Sequence, residues 1–252
     1  MSRLLAIGLA MLAWLLPVRA EELVLALSTR EVAITSTYTG ADVTVFGHIE
    51  RDARTIARTG DYDIVVQVQG PTGDIVLHRK GQFGFIWLTE NRRRYAGVPL
   101  YFATLTSRPL SLITDENTRQ RLKLGLEYFL PPTPDVSERD EFGFRNALLR
   151  LRREEGAVAD VESGVNMIRP NLFTARISLP AKAPTGLYLV NISLLSEGVP
   201  LRTAQAGFVV RKVGFDAYIA NAARNDAALY GILTVLIAVL LGWLANLVFR
   251  RD

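Results

Sequence analysis

Three consecutive arginines, Arg92, Arg93 and Arg94, stand in the stretch of this 252-residue chain that is densest in unusual side chains, residues 83–113. Trp87 and Tyr95 flank them, and Tyr101 and Arg108 follow. Guanidinium groups hold sulfate-like or phosphate-like oxyanions by paired hydrogen bonds, and aromatic walls keep water out. Trp87, Arg92, Arg93, Arg94, Tyr101 and Arg108 are therefore a candidate anion pocket. The same run also reads as a solvated basic loop, the usual fate of a charge run, or as a contact for anionic lipid head groups.

Other chemistry has thinner material. Cysteine is absent, which excludes disulfides, thiolate zinc, iron–sulfur clusters and thiol nucleophiles. The two histidines, His48 and His78, have acids nearby in sequence (Glu50, Asp52, Asp74) but not the spacing of a metal motif, so they read as rim histidines and no metal or other cofactor is expected. A Gly-x-Ser-x-Gly elbow, a Walker loop and a dinucleotide fingerprint are all missing, so the chain is not expected to be an enzyme.

The elements that must position these residues begin with two apolar ends. Arg3, an apolar run over 4–16 too short to span, Pro17, and then Val18 and Ala20 form the layout of a secretory signal cut after Ala20, so that residues 1–20 are a signal peptide. At the other end, residues 227–249 carry no formal charge. At ~1.5 Å per residue they reach ~34 Å, enough to cross ~30 Å of hydrocarbon. Arg250 and Arg251 follow directly, which suits a cytoplasmic tail over 250–252. These ends predict a single-pass protein of the bacterial inner membrane with its main domain in the periplasm. Residues 213–226, with Phe215, Tyr218, Ile219 and Ala222 on one side, read as an amphipathic juxtamembrane helix. Within the span, Thr234, Ala238, Gly242 and Asn246 recur every fourth residue as a small-or-polar stripe. That stripe is a candidate packing face for an integral-membrane partner or for self-association, and equally compatible with an ordinary anchor. Residues 21–226 hold 25 basic and 24 acidic side chains. The basic balance of the whole chain thus comes from its ends, and no nucleic-acid-binding pattern appears.

Residues 21–212 read as a mainly β, immunoglobulin-like sandwich carrying a small helical insertion at about 117–156. Segments 22–27, 31–37, 42–50, 62–69 and 74–80 precede the insertion, and 172–179, 187–195 and 200–210 follow it. In 42–50, Val43, Val45 and Ile49 share one face while His48 and Glu50 share the other. Gly70-Pro71-Thr72-Gly73 reads as a hairpin turn joining its two neighbours. Residues 117–129 read as a weak helix, and Ser137-Glu138-Arg139-Asp140 as the capping box of a stronger one. Phe144, Leu148 and Leu151 should form its buried face, Arg145, Arg152 and Arg153 the others, and Gly156 its end.

The order of short motifs is also informative: Ala26-Leu27-Ser28, Val45-Phe46-Gly47, Val68-Gln69-Gly70-Pro71, Trp87, Tyr101-Phe102-Ala103, Ser107-Arg108-Pro109-Leu110, Leu179-Pro180, Pro184-Thr185-Gly186-x-Tyr188, Leu229-Tyr230-Gly231 and Gly242-Trp243. Taken together they resemble an uncharacterised family of alphaproteobacterial transmembrane proteins. The resemblance implies an exported domain with one C-terminal span and assigns no catalytic residue. It further implies a transport-related partner, since proteins of this kind are often encoded beside permeases of the sulfite-exporter type. Residues and resemblance together predict a membrane-anchored periplasmic accessory protein of an inner-membrane transporter, with a periplasmic oxyanion sensor as the alternative.

Overall fold

A computed structural model describes residues 21–51, 61–131, 138–214, 218, 223 and 225–249. The expected signal peptide, the Ser137 cap, most of the juxtamembrane helix and the tail lie outside these residues. Twelve strands run β1 (Glu21–Leu27), β2 (Glu31–Ile34), β3 (Gly40–Arg51), β4 (Tyr62–Gln69), β5 (Thr72–Phe83), β6 (Ile86–Pro99), β7 (Phe102–Thr106), β8 (Val158–Val161), β9 (Val165–Arg169), β10 (Leu172–Pro180), β11 (Gly186–Ser196) and β12 (Val199–Lys212). Helices α1 (Leu110–Ile113), α2 (Glu116–Leu122) and α3 (Glu138–Glu154), with a 3-10 turn at Leu126–Phe129, fall between β7 and β8, and α4 (Ala227–Phe249) follows the last strand.

The strands form a four-stranded sheet ordered β1-β3-β10-β9, a six-stranded sheet ordered β2-β12-β11-β4-β7-β8, and a separate β5-β6 ribbon. The period-2 reading of β3 holds: Val43, Val45 and Ile49 are buried while Glu50 is exposed. On β11, Tyr188, Val190, Ile192 and Leu194 are all shut off from solvent and meet the β3 and β10 side chains in one core. An aromatic run crosses that core, with Tyr101 tilted 5.6 Å from Tyr188 and Tyr188 stacked 5.0 Å from Phe208. Tyr101 Oη donates to Ser178 O on the opposite sheet at 3.0 Å, and Tyr188 Oη to Pro184 O at 2.8 Å, so both of these hydroxyls have partners. β4 is buried along nearly its whole length, because its second face lies under α1 and α2, where Val65, Ile113, Leu124 and Leu195 form a smaller cluster.

Four local expectations give way to the structure. Gly70–Gly73 does not join a hairpin. β4 pairs with β11 and β7, β5 pairs with β6, and Gly70 N bonds Tyr101 O at 2.8 Å. A turn signal marks where the chain changes direction and says nothing of which strand it will meet. The weak helix over 117–129 is two pieces, because Lys123 takes a left-handed conformation (φ 51°) that closes α2 before the 3-10 turn starts. In α3, Phe144 and Leu148 are buried but Leu151 is 41% exposed, and Arg152 takes its place at i+8. The Arg152 stem is covered and its guanidinium donates to Leu100 O. Finally, the arginine run is not a loop but part of a 14-residue strand, β6.

Candidate functional site

Strand geometry decides what the arginines can do. Successive side chains on β6 point to opposite faces. The pairs Leu77 with Arg93 and His78 with Arg92 therefore put Arg93 on the covered side of the ribbon and Arg92 on the open one, with Arg94. The covered side packs on α3, where Leu77, Tyr95, Val98, Phe144 and Leu148 share a second apolar cluster with Phe102 of the sandwich. Guanidinium groups of Arg79 and Arg93 lie 4.5 and 5.3 Å from the centre of the Phe144 ring, and Arg79 bonds Asp140 at 3.1 Å. These contacts lock the root half of the ribbon to the helix.

On the open side Arg94 grips Asp74, whose other oxygen accepts from Gly97 N at 3.2 Å. The Arg94 hydrogen bond first and the Gly97 amide second hold the Asp74 carboxyl below its ordinary range. A carboxyl lowered by folding stabilises the folded form above its unfolded value, and that contribution fades as the pH falls through the lowered one. Acidification below the usual aspartate value of about 4 should therefore loosen this root. Hydrogen exchange at Gly97 N, which has a φ of +67° and lies where the β5–β6 register shifts between Gly73 and Ile75, should speed up there relative to the amides of β4.

Of the six proposed anion ligands, only Arg92 and Arg94 share a face. Tyr101 is sealed in the sandwich core, and burial pushes its hydroxyl far above the ordinary tyrosine range. Arg108 is bound to Asp63 at 2.8 Å through Nε and 2.5 Å through its terminal nitrogen. Asp63 itself is only 3% exposed, and Ser107 Oγ, at 3.2 Å, is its further donor. Arg108→Ala should leave that carboxylate short of donors and cost about 1–3 kcal/mol, read as a lower urea midpoint. Arg93 and Arg94 are engaged on opposite faces of the ribbon, and Trp87 lies beyond them near its tip, 64% exposed. His48, on β3 of the four-stranded sheet, and His78, on the ribbon, belong to different elements. No group of three metal-binding side chains occurs among the described residues.

Sequence reasoning missed the ribbon tip. Gly84 (φ +62°) and Phe85 make a two-residue turn, and Gln82 Nε2 bonds Gly84 O at 3.2 Å. From Phe85 to Arg92 every side chain is exposed, four of them large and apolar in a row: Phe85 fully, then Ile86, Trp87 and Leu88 at more than half. The available signal was Gly-Phe at a turn, where aromatic residues are rarely wanted. In α4 the stripe residues Thr234, Ala238, Gly242 and Asn246 are exposed, and Thr234 Oγ1 donates to Tyr230 O at 2.8 Å within the helix. No described residue buries any of that helix's candidate span.

Among solved structures, the sporulation control protein Spo0M from Bacillus subtilis is similar at 10% identity over 82% of this chain, with a TM-score of 0.28. The chain spans 55% of the length of Spo0M. BslA, a bacterial hydrophobin, is similar at 11% identity over 79% of this chain and 99% of its own, with a TM-score of 0.25. No curated protein matches the chain. One family, described as Putative transmembrane protein (Alph_Pro_TM), matches residues 22–251.

Proposed function

This chain belongs to the Alph_Pro_TM family, and on that premise we propose that it is a single-pass accessory protein of the bacterial inner membrane. Its sandwich stands in the periplasm and engages an integral-membrane transporter. The observation that carries the reading is α4: 23 uncharged residues following the last strand, with its candidate span exposed on every side. Such a helix needs a lipid or protein environment along its whole length.

An immunoglobulin-like reading of the sandwich is supported by its strand order. β1-β3-β10-β9 faces β12-β11-β4-β7, and β2 joins the second sheet alongside β12 in parallel. Tyr188, near the start of β11, bonds back to Pro184 O in the manner of a tyrosine corner. This superfold hosts interaction modules and enzymes alike, so it adds no activity by itself. Oxyanion binding through Arg92, Arg93, Arg94 and Arg108 has less support, since three of the four already have partners within the fold.

Two measurements test the proposal. Protease added to intact spheroplasts should digest residues 21–212 and spare a tag behind α4, and the reverse pattern would overturn the orientation. Cross-linking in native membranes followed by mass spectrometry should capture a transporter subunit, and recovery of this chain alone would overturn the partnership.

A further inference from the structure

We propose that the tip of the β5–β6 ribbon inserts into the lipid leaflet that it faces, beside the chain's own span, with Phe85, Ile86, Trp87 and Leu88 as the inserting side chains. The inference rests on the anchoring read above but not on the transporter partner. Its first support is the placement of apolar groups. Ile86 and Leu88 point to one face of the ribbon, Trp87 to the other, and Phe85 caps the turn. A protein partner or a second copy would cover one face and leave the other wet. Fluid lipid surrounds a narrow tip on every side and covers all four without a preformed pocket. Phe85 to Leu88 covers ~10 Å along the strand, the depth of the headgroup and acyl boundary at which interfacial segments settle.

Charge agrees with this occupant. Residues 72–99 contain five basic side chains (Arg79, Lys80, Arg92, Arg93, Arg94) against two acidic ones (Asp74, Glu90). Behind the apolar tip Lys80 and Arg92 are exposed with Glu90 between them, a net positive collar where anionic headgroups would lie. A tryptophan among apolar neighbours, backed by basic residues, is the composition of a membrane-interface anchor.

The third support is where the ribbon is rooted. A Cβ on Gly186 would sit 2.9 Å from Pro71, next to the start of β5, and Gly186 pairs with Val210 near the end of β12. The ribbon and the connection to α4 therefore leave the same end of the six-stranded sheet. Fourteen residues separate Lys212 from Ala227, which limits the gap to at most ~50 Å.

The test uses the full chain carrying Trp14→Phe and Trp243→Phe, so that Trp87 is the sole fluorophore of its kind. It is reconstituted into nanodiscs with brominated acyl chains, made of phosphatidylcholine with or without phosphatidylglycerol. Trp87 emission should shift to the blue and be quenched by bromine, more strongly with phosphatidylglycerol. A further Phe85→Ser and Ile86→Ser change should abolish the quenching while the melting temperature stays put. Water-like emission open to iodide in both nanodiscs would overturn the proposal. So would shielding from iodide without bromine quenching, which would mean a second copy covers the tip. Co-elution of chain and nanodisc reads the α4 anchor separately. Quenching lost with co-elution kept thus rejects the tip alone, whereas loss of co-elution rejects the anchor. No other protein is present, so neither result bears on a transporter partner.

Discussion

A chain with valine in place of Gly47 is expected to melt well below its parent. Gly47 shares the inward face of β3 with Val43, Val45 and Ile49, and its partner across the sheet is Phe173 of β10. A Cβ at position 47 would lie 2.0 Å from Phe173 Cζ and 2.3 Å from Cε1. The ring thus occupies the space a side chain would need. Phe173 is completely buried, so the ring has no solvent to swing into and must displace core neighbours. Overpacking of this kind costs about 1–3 kcal/mol and sometimes more, and the two branches of valine put it at the upper end. For a folded region of this size that corresponds to a fall of about 10 °C in Tm, measurable in detergent by following tyrosine fluorescence. Trimming the ring should compensate: Gly47→Ala with Phe173→Leu should be more stable than the sum of the two single losses predicts. An unchanged Tm for Gly47→Val would mean that the ring does not lie over β3.

What could be read from sequence follows from where the determining physics is local. β3 and β11 were legible because burial on one face imposes a two-residue alternation that survives in the residue types themselves. The long apolar span was legible for the same reason, since lipid demands the same chemistry at every position. Pairing is not local. Nothing in Gly70–Gly73 states that β4 will lie between β11 and β7 while β5 departs with β6. β8 and β9, of four and five residues, carry too short a pattern to stand out. Arg152 could not be told from a surface arginine, because its long apolar stem can be covered while its guanidinium reaches a polar partner, here Leu100 O. The arginines group as one anion site because strand geometry cannot be read from their spacing. Adjacent arginines look like a cluster in sequence, yet a strand sends them alternately to opposite faces, where Phe144 and Asp74 take them up separately. Trp87, grouped with those arginines as a pocket wall, belongs instead with Phe85, Ile86 and Leu88 at the ribbon tip.

Arginines at positions 237 and 240 should release the chain from membranes. α4 has 23 residues and a length of ~34 Å, so Ile237 and Leu240 fall near its centre. Both are more than half exposed, like nearly all their apolar neighbours, and the described residues offer them no core. If lipid is their environment, each charge costs about 2.5–3.5 kcal/mol at mid-span. Together they cost enough to turn a stable anchor into one that inserts poorly. The Ile237→Arg, Leu240→Arg chain should therefore move from the membrane pellet to the supernatant after alkaline carbonate extraction, whereas Ile237→Ala, Leu240→Ala should stay in the pellet. Retention of the doubly charged chain would mean that protein contacts, not lipid, hold α4. The polar positions behave differently by the same reasoning. Thr234 has already satisfied its hydroxyl on Tyr230 O, so Thr234→Val should change neither retention nor association. Asn246 has side-chain groups that hydrocarbon cannot satisfy, so Asn246→Leu should keep the chain in the pellet but weaken any helix-to-helix contact detected by cross-linking in the span.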